Sequence, residues 1–149
     1  MIRLLSPMTG TVIPLETVPD GAFSRKLLGD GVAILPQEGT IVSPVDGTLS
    51  AISHTLHAYV FTSEEGLEIL VHVGLQSVGL QGRGFYPLIP VGQKVRAGDP
   101  VADVDLGLLQ KKGVPLYTPV VVCEGAENMT METYAGPAEA GKTQIIRLT

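Results

Sequence analysis

The stretch TLHAYVFTSEEGLEILVHVG, residues 55–74, decides how the chain is read. Residues 57–62, HAYVFT, carry aromatic and β-branched side chains, and residues 67–73, LEILVHV, continue that character. Between them SEEG is a polar turn with a glycine, so the two runs read as a tight hairpin. His57 and His72 both lie in it. A two-residue turn flanked by Ser63 and Gly66, or a four-residue loop over 63–66, sets His57 directly opposite His72. Their Cβ atoms would then be about 5 Å apart. A three-residue loop, 64–66, slips the register by one and separates the faces. Only the first register gives the two imidazoles a joint task, such as sharing one small anionic group.

Alternation places Thr55, His57, Tyr59 and Phe61 on one face of the first strand. On the second strand Ile69, Val71 and Val73 point one way, and Glu68, Leu70 and His72 the other. The histidine face is therefore partly apolar. That fits either an inert, hydrogen-bonded core histidine or a reactive one on an apolar docking surface. His54 points away from His57 and reads as a surface residue.

Outward from the hairpin, the 149 residues hold 18 glycines and 11 prolines, which implies many turns and a mostly β architecture. Hydrophobic residues make up 44% and charged residues 17%, a composition of neither a disordered nor a nucleic-acid-binding chain. The formal charge of -5 favours a basic protein partner. No apolar run approaches the roughly 20 residues of a membrane span, and no signal peptide pattern opens the sequence. The single cysteine, Cys123, excludes an internal disulfide and fits a reducing compartment. The expected location is the cytoplasm.

Ser6, Pro7, Gly10 and Thr11 in SPMTGTVIPL correspond to Ser43, Pro44, Gly47 and Thr48 in SPVDGTLSAI, as in a duplicated strand–turn–strand element. AFSRKLL, residues 22–28, has room for one or two helical turns stopped by Gly29, and Phe23 there is either core or an exposed anchor. VAILP, GTIVSP and GTLSAI read as strands. LGLLQKKG, 106–113, is a short helix that Asp105 can cap. VPLYTPVVVCEG, 114–125, returns to strand, 126–141 is irregular, and TQIIRLT, 143–149, closes the chain. No linker divides residues 1–149, so one domain is expected. Its class is all-β: an antiparallel β-sandwich or partly rolled barrel with duplicated hairpin elements and very short helices.

Other motifs carry less. GLQGRGF lacks the strand-to-helix transition and GK[ST] of a nucleotide loop, so its glycines read as bends. Asp99, Asp103 and Asp105 lie in a strand context without a calcium-loop signature. No metal or other cofactor is expected.

The pieces taken together are VPD at 18–20, GDGVAILP at 29–36, SPVDGT at 43–48, HAYVF at 57–61, GLEILVHVGL at 66–75, VGLQGRGF at 78–85, VGQKVRAGDPV at 91–101, VDLGLL at 104–109 and TPVVV at 118–122. In this order, with two histidines fifteen residues apart, the sequence resembles the glucose-type IIA domain of the bacterial phosphoenolpyruvate-dependent sugar phosphotransferase system. The resemblance implies that His72 is the phosphoryl acceptor and donor, that His57 contacts the phosphate, and that Thr55 orients His57. It implies a phosphohistidine carrier protein as donor and a cysteine of a sugar-specific IIB domain of the permease as acceptor, with regulatory protein targets in some relatives. Asp20, Phe23, Leu70 and Gln76 then form the docking surface. Two positions depart from the family pattern: Gln76 and Ala126 stand where acids are usual, which thins the acidic rim to Asp20. The competing readings are a zinc-dependent lysostaphin-like peptidase, which needs three metal ligands where only His57 and His72 are placed, and a non-catalytic regulatory binding domain.

Overall fold

The computed structural model describes all 149 residues. Fourteen strands occur along it: β1 (Ile2–Leu5), β2 (Gly10–Pro14), β3 (Asp30–Pro36), β4 (Thr40–Val42), β5 (Gly47–Ile52), β6 (Ala58–Ser63), β7 (Glu68–His72), β8 (Phe85–Pro87), β9 (Lys94–Val95), β10 (Pro100–Val104), β11 (Thr118–Glu124), β12 (Met131–Thr133), β13 (Gly136–Ala138) and β14 (Gln144–Leu148). Two short helices, α1 (Gly21–Ser24) and α2 (Leu106–Lys111), complete the chain with two single-turn 3-10 segments. Asp20 and Asp105 cap these helices by accepting from the N–H groups of Ala22 and Leu108.

All strand pairings are antiparallel, in sheets ordered β1-β14-β12, β4-β10-β8 and β13-β2-β3-β11-β7-β6-β5-β9. The sandwich expected from the sequence is there; the partly rolled barrel is not. The eight-stranded sheet stays open because its outermost strands, β13 and β9, pair on one side only. They span three and two residues, too few to present a ladder for closure.

The duplication expected from SPMTG and SPVDG extends to the whole body. Counted inward from both edges, the large sheet matches β13 with β9, β2 with β5, β3 with β6 and β11 with β7, and the two small sheets match each other. The repeated turns interlock reciprocally: the Leu5 N–H donates to the Pro44 carbonyl at 3.0 Å, and the Val42 N–H to the Pro7 carbonyl at 2.8 Å. Buried Ser6 and Ser43 each donate to the carbonyl two residues on, both at 2.6 Å. A side chain at Gly10 or Gly47 would collide with the carbonyl of Leu35 or Thr62 on the neighbouring strand.

A cluster of 27 buried residues draws on all three sheets and forms the core between the layers. Alternation then defines an outer face. On β3, β11 and β7 the side chains of Val32, Ile34, Val120, Val122, Ile69 and Val71 enter that core. Ala33, Val121 and Leu70 point the other way, into a second cluster with Leu15, Val18, Phe23 and Leu75. Residues 15–23 thus cover the outer face of the three central strands.

Candidate functional site

The hairpin register differs from the one that sets the histidines opposite each other. Ala58 pairs with His72, Tyr59 with Val71 and Phe61 with Ile69. The loop is the three-residue one, Glu64–Gly66, because Gly66 takes φ +93° and closes it. Ser63 secures both ends: its N–H donates to the Leu67 carbonyl at 2.9 Å, and its Oγ accepts from the Leu67 N–H at 3.0 Å. This register puts Tyr59, Phe61, Ile69 and Val71 on one buried face, which the alternative would divide.

The imidazoles nonetheless meet, with centroids 4.8 Å apart and ring planes at 81°. His72 is the last residue of β7 and His57 immediately precedes β6, so the rings come together at the end of the sheet. Leu56, in the left-handed region at φ +65°, turns the chain into this position. The slipped register therefore separates the strand faces without separating the histidines.

Each ring is held at Nδ1. His72 Nδ1 lies 2.9 Å from the Gly74 carbonyl oxygen. A carbonyl only accepts, so Nδ1 carries the proton and Nε2 carries the lone pair. Gly74 reaches this geometry at φ +76°, where a Cβ would stand 2.6 Å from Ser77 Oγ and 3.1 Å from the Pro115 carbonyl. Ser77, fully buried, donates from Oγ to the Val73 carbonyl and braces the turn. His57 Nδ1 lies 2.8 Å from Thr55 Oγ1, with Ser53 Oγ farther off at 3.5 Å.

Phe23 stacks on His72, tilted at 56° with centroids 5.1 Å apart, and Phe85 lies 6.5 Å from His57. Burial pushes the His72 pKa below its ordinary 6.5; the neighbouring His57 imidazole acts the same way, and the Gly74 carbonyl and Asp20 carboxylate oppose them. Burial likewise lowers His57. Both are neutral at neutral pH, the state in which a ring nitrogen can attack phosphorus.

The expected site residues are thus partly assembled. His72, His57 and Thr55 form one hydrogen-bonded group; Leu70 is half-buried on the His72 face; Asp20 is close enough to act on the His72 charge. Gln76 is exposed, in the left-handed region at φ +60°. Phe23 is not an exposed anchor: at 4% exposure its ring belongs to the second cluster and to His72. Ala126 packs against the main core, and His54 is exposed. The Gly74 carbonyl and Phe85 went unassigned in the sequence, where Ser77 stood out only as near enough to line a site; the glycine directly after His72-Val73 hinted at a special backbone there. No three histidine, cysteine, aspartate or glutamate side chains gather as metal ligands. No helix is long and apolar enough to cross a membrane.

Comparison with known proteins identifies the family. Residues 2–128 match the family described as phosphoenolpyruvate-dependent sugar phosphotransferase system, EIIA 1. The chain is 40% identical over 147 residues to the PTS system glucose-specific EIIA component of Bacillus cereus, covering 98% of this chain and 89% of that protein. It is 38% identical over 146 residues to the PTS system N-acetylglucosamine-specific EIICBA component of Klebsiella pneumoniae, covering 97% of this chain and 22% of the longer protein. The solved glucose permease IIA from Mycoplasma capricolum superposes with a TM-score of 0.89 at 33% identity, covering 97% of this chain and 94% of that one. The chain belongs to the EIIA 1 family of the phosphoenolpyruvate-dependent sugar phosphotransferase system, and is a phosphotransferase component that relays a phosphoryl group through histidine.

Proposed function

We propose that residues 1–149 act as a single IIA domain in which His72 is the relay nucleophile, His57 the phosphate contact and Thr55 the residue that orients His57. The observation that carries this reading is the bond between His72 Nδ1 and the Gly74 carbonyl, which leaves Nε2 as the free nitrogen. Nε2 attacks the phosphorus of the carrier's phosphohistidine. The Nε2–P bond forms as the donor's P–N bond breaks, and the donor imidazole keeps the electron pair. The His72 proton stays on Nδ1, bonded to the Gly74 carbonyl. The group then leaves for a IIB cysteine by the same in-line geometry.

When the Thr55 hydroxyl donates to His57 Nδ1, the His57 proton sits on Nε2 and is available to a phosphoryl oxygen. Transfer of this kind rests on positioning and on stabilising charge at the equatorial oxygens. Phe23, against the His72 ring, limits the access of water to the phosphoramidate. Asp20, Leu70 and Gln76 contribute to docking, with Asp20 and the charge of -5 favouring a basic phosphocarrier. The specificities of the relatives make a glucose-type or N-acetylglucosamine-type permease the candidate acceptor.

The test is phosphorylation by the phosphorylated carrier, with the site mapped. Parent protein should carry the group on His72, and His72→Gln should fold normally and accept none. Label on another histidine in His72→Gln would refute the assignment. Reconstitution with candidate IIB–IIC partners, reading phosphate on each sugar, identifies the acceptor.

A further inference from the structure

A groove of about 320 Å³ opens beside the histidine site. It is lined by Leu75, Gln76, Gly79, Leu80, Arg83 and Lys112, and closed by residues 113–115. Its wall is shared with the shelf that holds His72: the Leu75 N–H donates to the Pro115 carbonyl at 3.0 Å, and Val114 and Pro115 are, after Ser77, the groups a Cβ on Gly74 would meet. Leu75 also belongs to the cluster that contains Phe23.

The charge of this groove is opposite to that of the protein. In a chain of net charge -5, its lining contains two cations and no carboxylate. Neither cation is spent internally. The ion pairs of the molecule involve Lys26, Lys142 and Arg147, and none includes Arg83 or Lys112. The Arg83 Nε–H donates to the Leu80 carbonyl at 3.4 Å, which directs the stem while leaving the terminal nitrogens free. Arg83 and Lys112 are both exposed.

Any protein that delivers a phosphoryl group to His72 Nε2 must place its own reactive ring directly over this site. A specific footprint covers about 800 Å² on each partner. It therefore reaches Leu75 and Gln76, three and four residues beyond His72, and the groove they line. A partner of uniform positive charge would set unpaired like charges together there, which opposes association.

We propose that the groove of Arg83 and Lys112 receives a carboxylate side chain of the phosphocarrier protein that donates to His72. The face is then two-signed, with Asp20 meeting a cation of the carrier and Arg83 with Lys112 meeting an aspartate or glutamate. Two opposed signs fix the carrier's rotation about the phosphoryl axis, which a one-signed patch leaves free. This proposal rests on the assignment of His72 as the acceptor.

The experiment measures transfer from phosphorylated carrier to the parent, to Arg83→Gln/Lys112→Gln and to Arg83→Glu/Lys112→Glu, across ionic strength. Ring resonances of His57 and His72 report that the site is intact in each. At low salt the charge-reversed protein should transfer about tenfold more slowly than the parent, with the neutral variant between, and the gap should narrow as salt rises. Unchanged or faster transfer after reversal overturns the proposal and assigns a neutral or basic surface to the carrier at this point. Slower transfer to the IIB cysteine with normal uptake from the carrier also overturns it, since the groove would then serve the acceptor. Titration with inorganic phosphate forms the third arm: saturable shifts at Arg83 and Lys112 that compete with the carrier would make this a small-anion site instead. A parent protein that takes no label on His72 would refute the acceptor assignment itself, a result separable from all of these.

Discussion

The Nδ1–H of His72 donates to the carbonyl of Gly74 at 2.9 Å, so Nε2 is the ring nitrogen that keeps its lone pair. Nitrogen-15 NMR should show His72 as the Nδ1–H tautomer at neutral pH and the phosphoryl group on Nε2 after transfer. A product phosphorylated on Nδ1 would contradict this geometry.

If His57 contacts the phosphate as proposed, His57→Gln removes a donor to the phosphoryl oxygens and leaves His72 in place. Phosphorylation of His72 should persist at a reduced rate. Onward transfer to the IIB cysteine should fall by about 10²-fold, the usual cost of losing one donor aimed at developing charge. Near-normal rates in both directions, measured by quenched flow, would make His57 a bystander.

Acid should destabilise the protein. Unfolded, both imidazoles titrate near 6.5; folded, both titrate lower. Between these values the unfolded chain binds more protons, so stability present above pH 6.5 is lost as the pH falls towards the folded pKa values. Urea midpoints across this window should decline with acidification in the parent and decline less in His57→Gln/His72→Gln. Phosphorylation reverses the sign for His57, because a dianion beside it favours the imidazolium. Its pKa should rise when His72 is phosphorylated, as read by proton NMR titration.

Replacing Phe23 with alanine empties a buried site in the outer cluster. The loss should be about 3–5 kcal/mol, as for other buried aromatic truncations. The phosphohistidine should also hydrolyse faster, since the ring against His72 is gone. A variant of parental stability and hydrolysis rate would show that Phe23 does neither.

Tyr59 is fully buried, and burial pushes its pKa up to about 12; its hydroxyl has no hydrogen-bond partner. Tyr59→Phe removes an unsatisfied polar group at nearly constant shape. It should be neutral or stabilising by about 1 kcal/mol in urea unfolding. A clear loss of stability would reveal a bound water satisfying the hydroxyl.

Alternation grouped Tyr59 with Phe61 and Ile69 with Val71, because side-chain direction in a strand depends only on parity, but it did not show that the two pairs share one buried face. The hairpin register was less legible. SEEG accommodates loops of two, three or four residues, and the choice falls to the left-handed Gly66 and the double bond of Ser63 with Leu67. The meeting of His57 and His72 could not follow from register, since it happens where the ladder ends. Closure of the large sheet was likewise hidden, because it depends on the edge strands β13 and β9, which are too short to show a period. The ordered motifs nevertheless pointed to the right family, because they fall on the turns and strands that shape the site. Phe23 was ambiguous for a different reason: a lone aromatic in a polar segment is buried only when a neighbouring sheet offers it a face.

The paired strand order has a consequence for how the relay becomes competent. One half of the duplicated body, β4 to β10, is continuous in the chain and holds both imidazoles. The other half is split around it, and its first part carries Phe23, whose ring lies against His72, in one cluster with Leu15 and Val18. His72 belongs to the guest and the Phe23 ring against it to the host. A nascent or nicked chain in which only the guest had formed would expose a bare imidazole to water, so long-lived phosphohistidine is itself a sign that the two halves have joined.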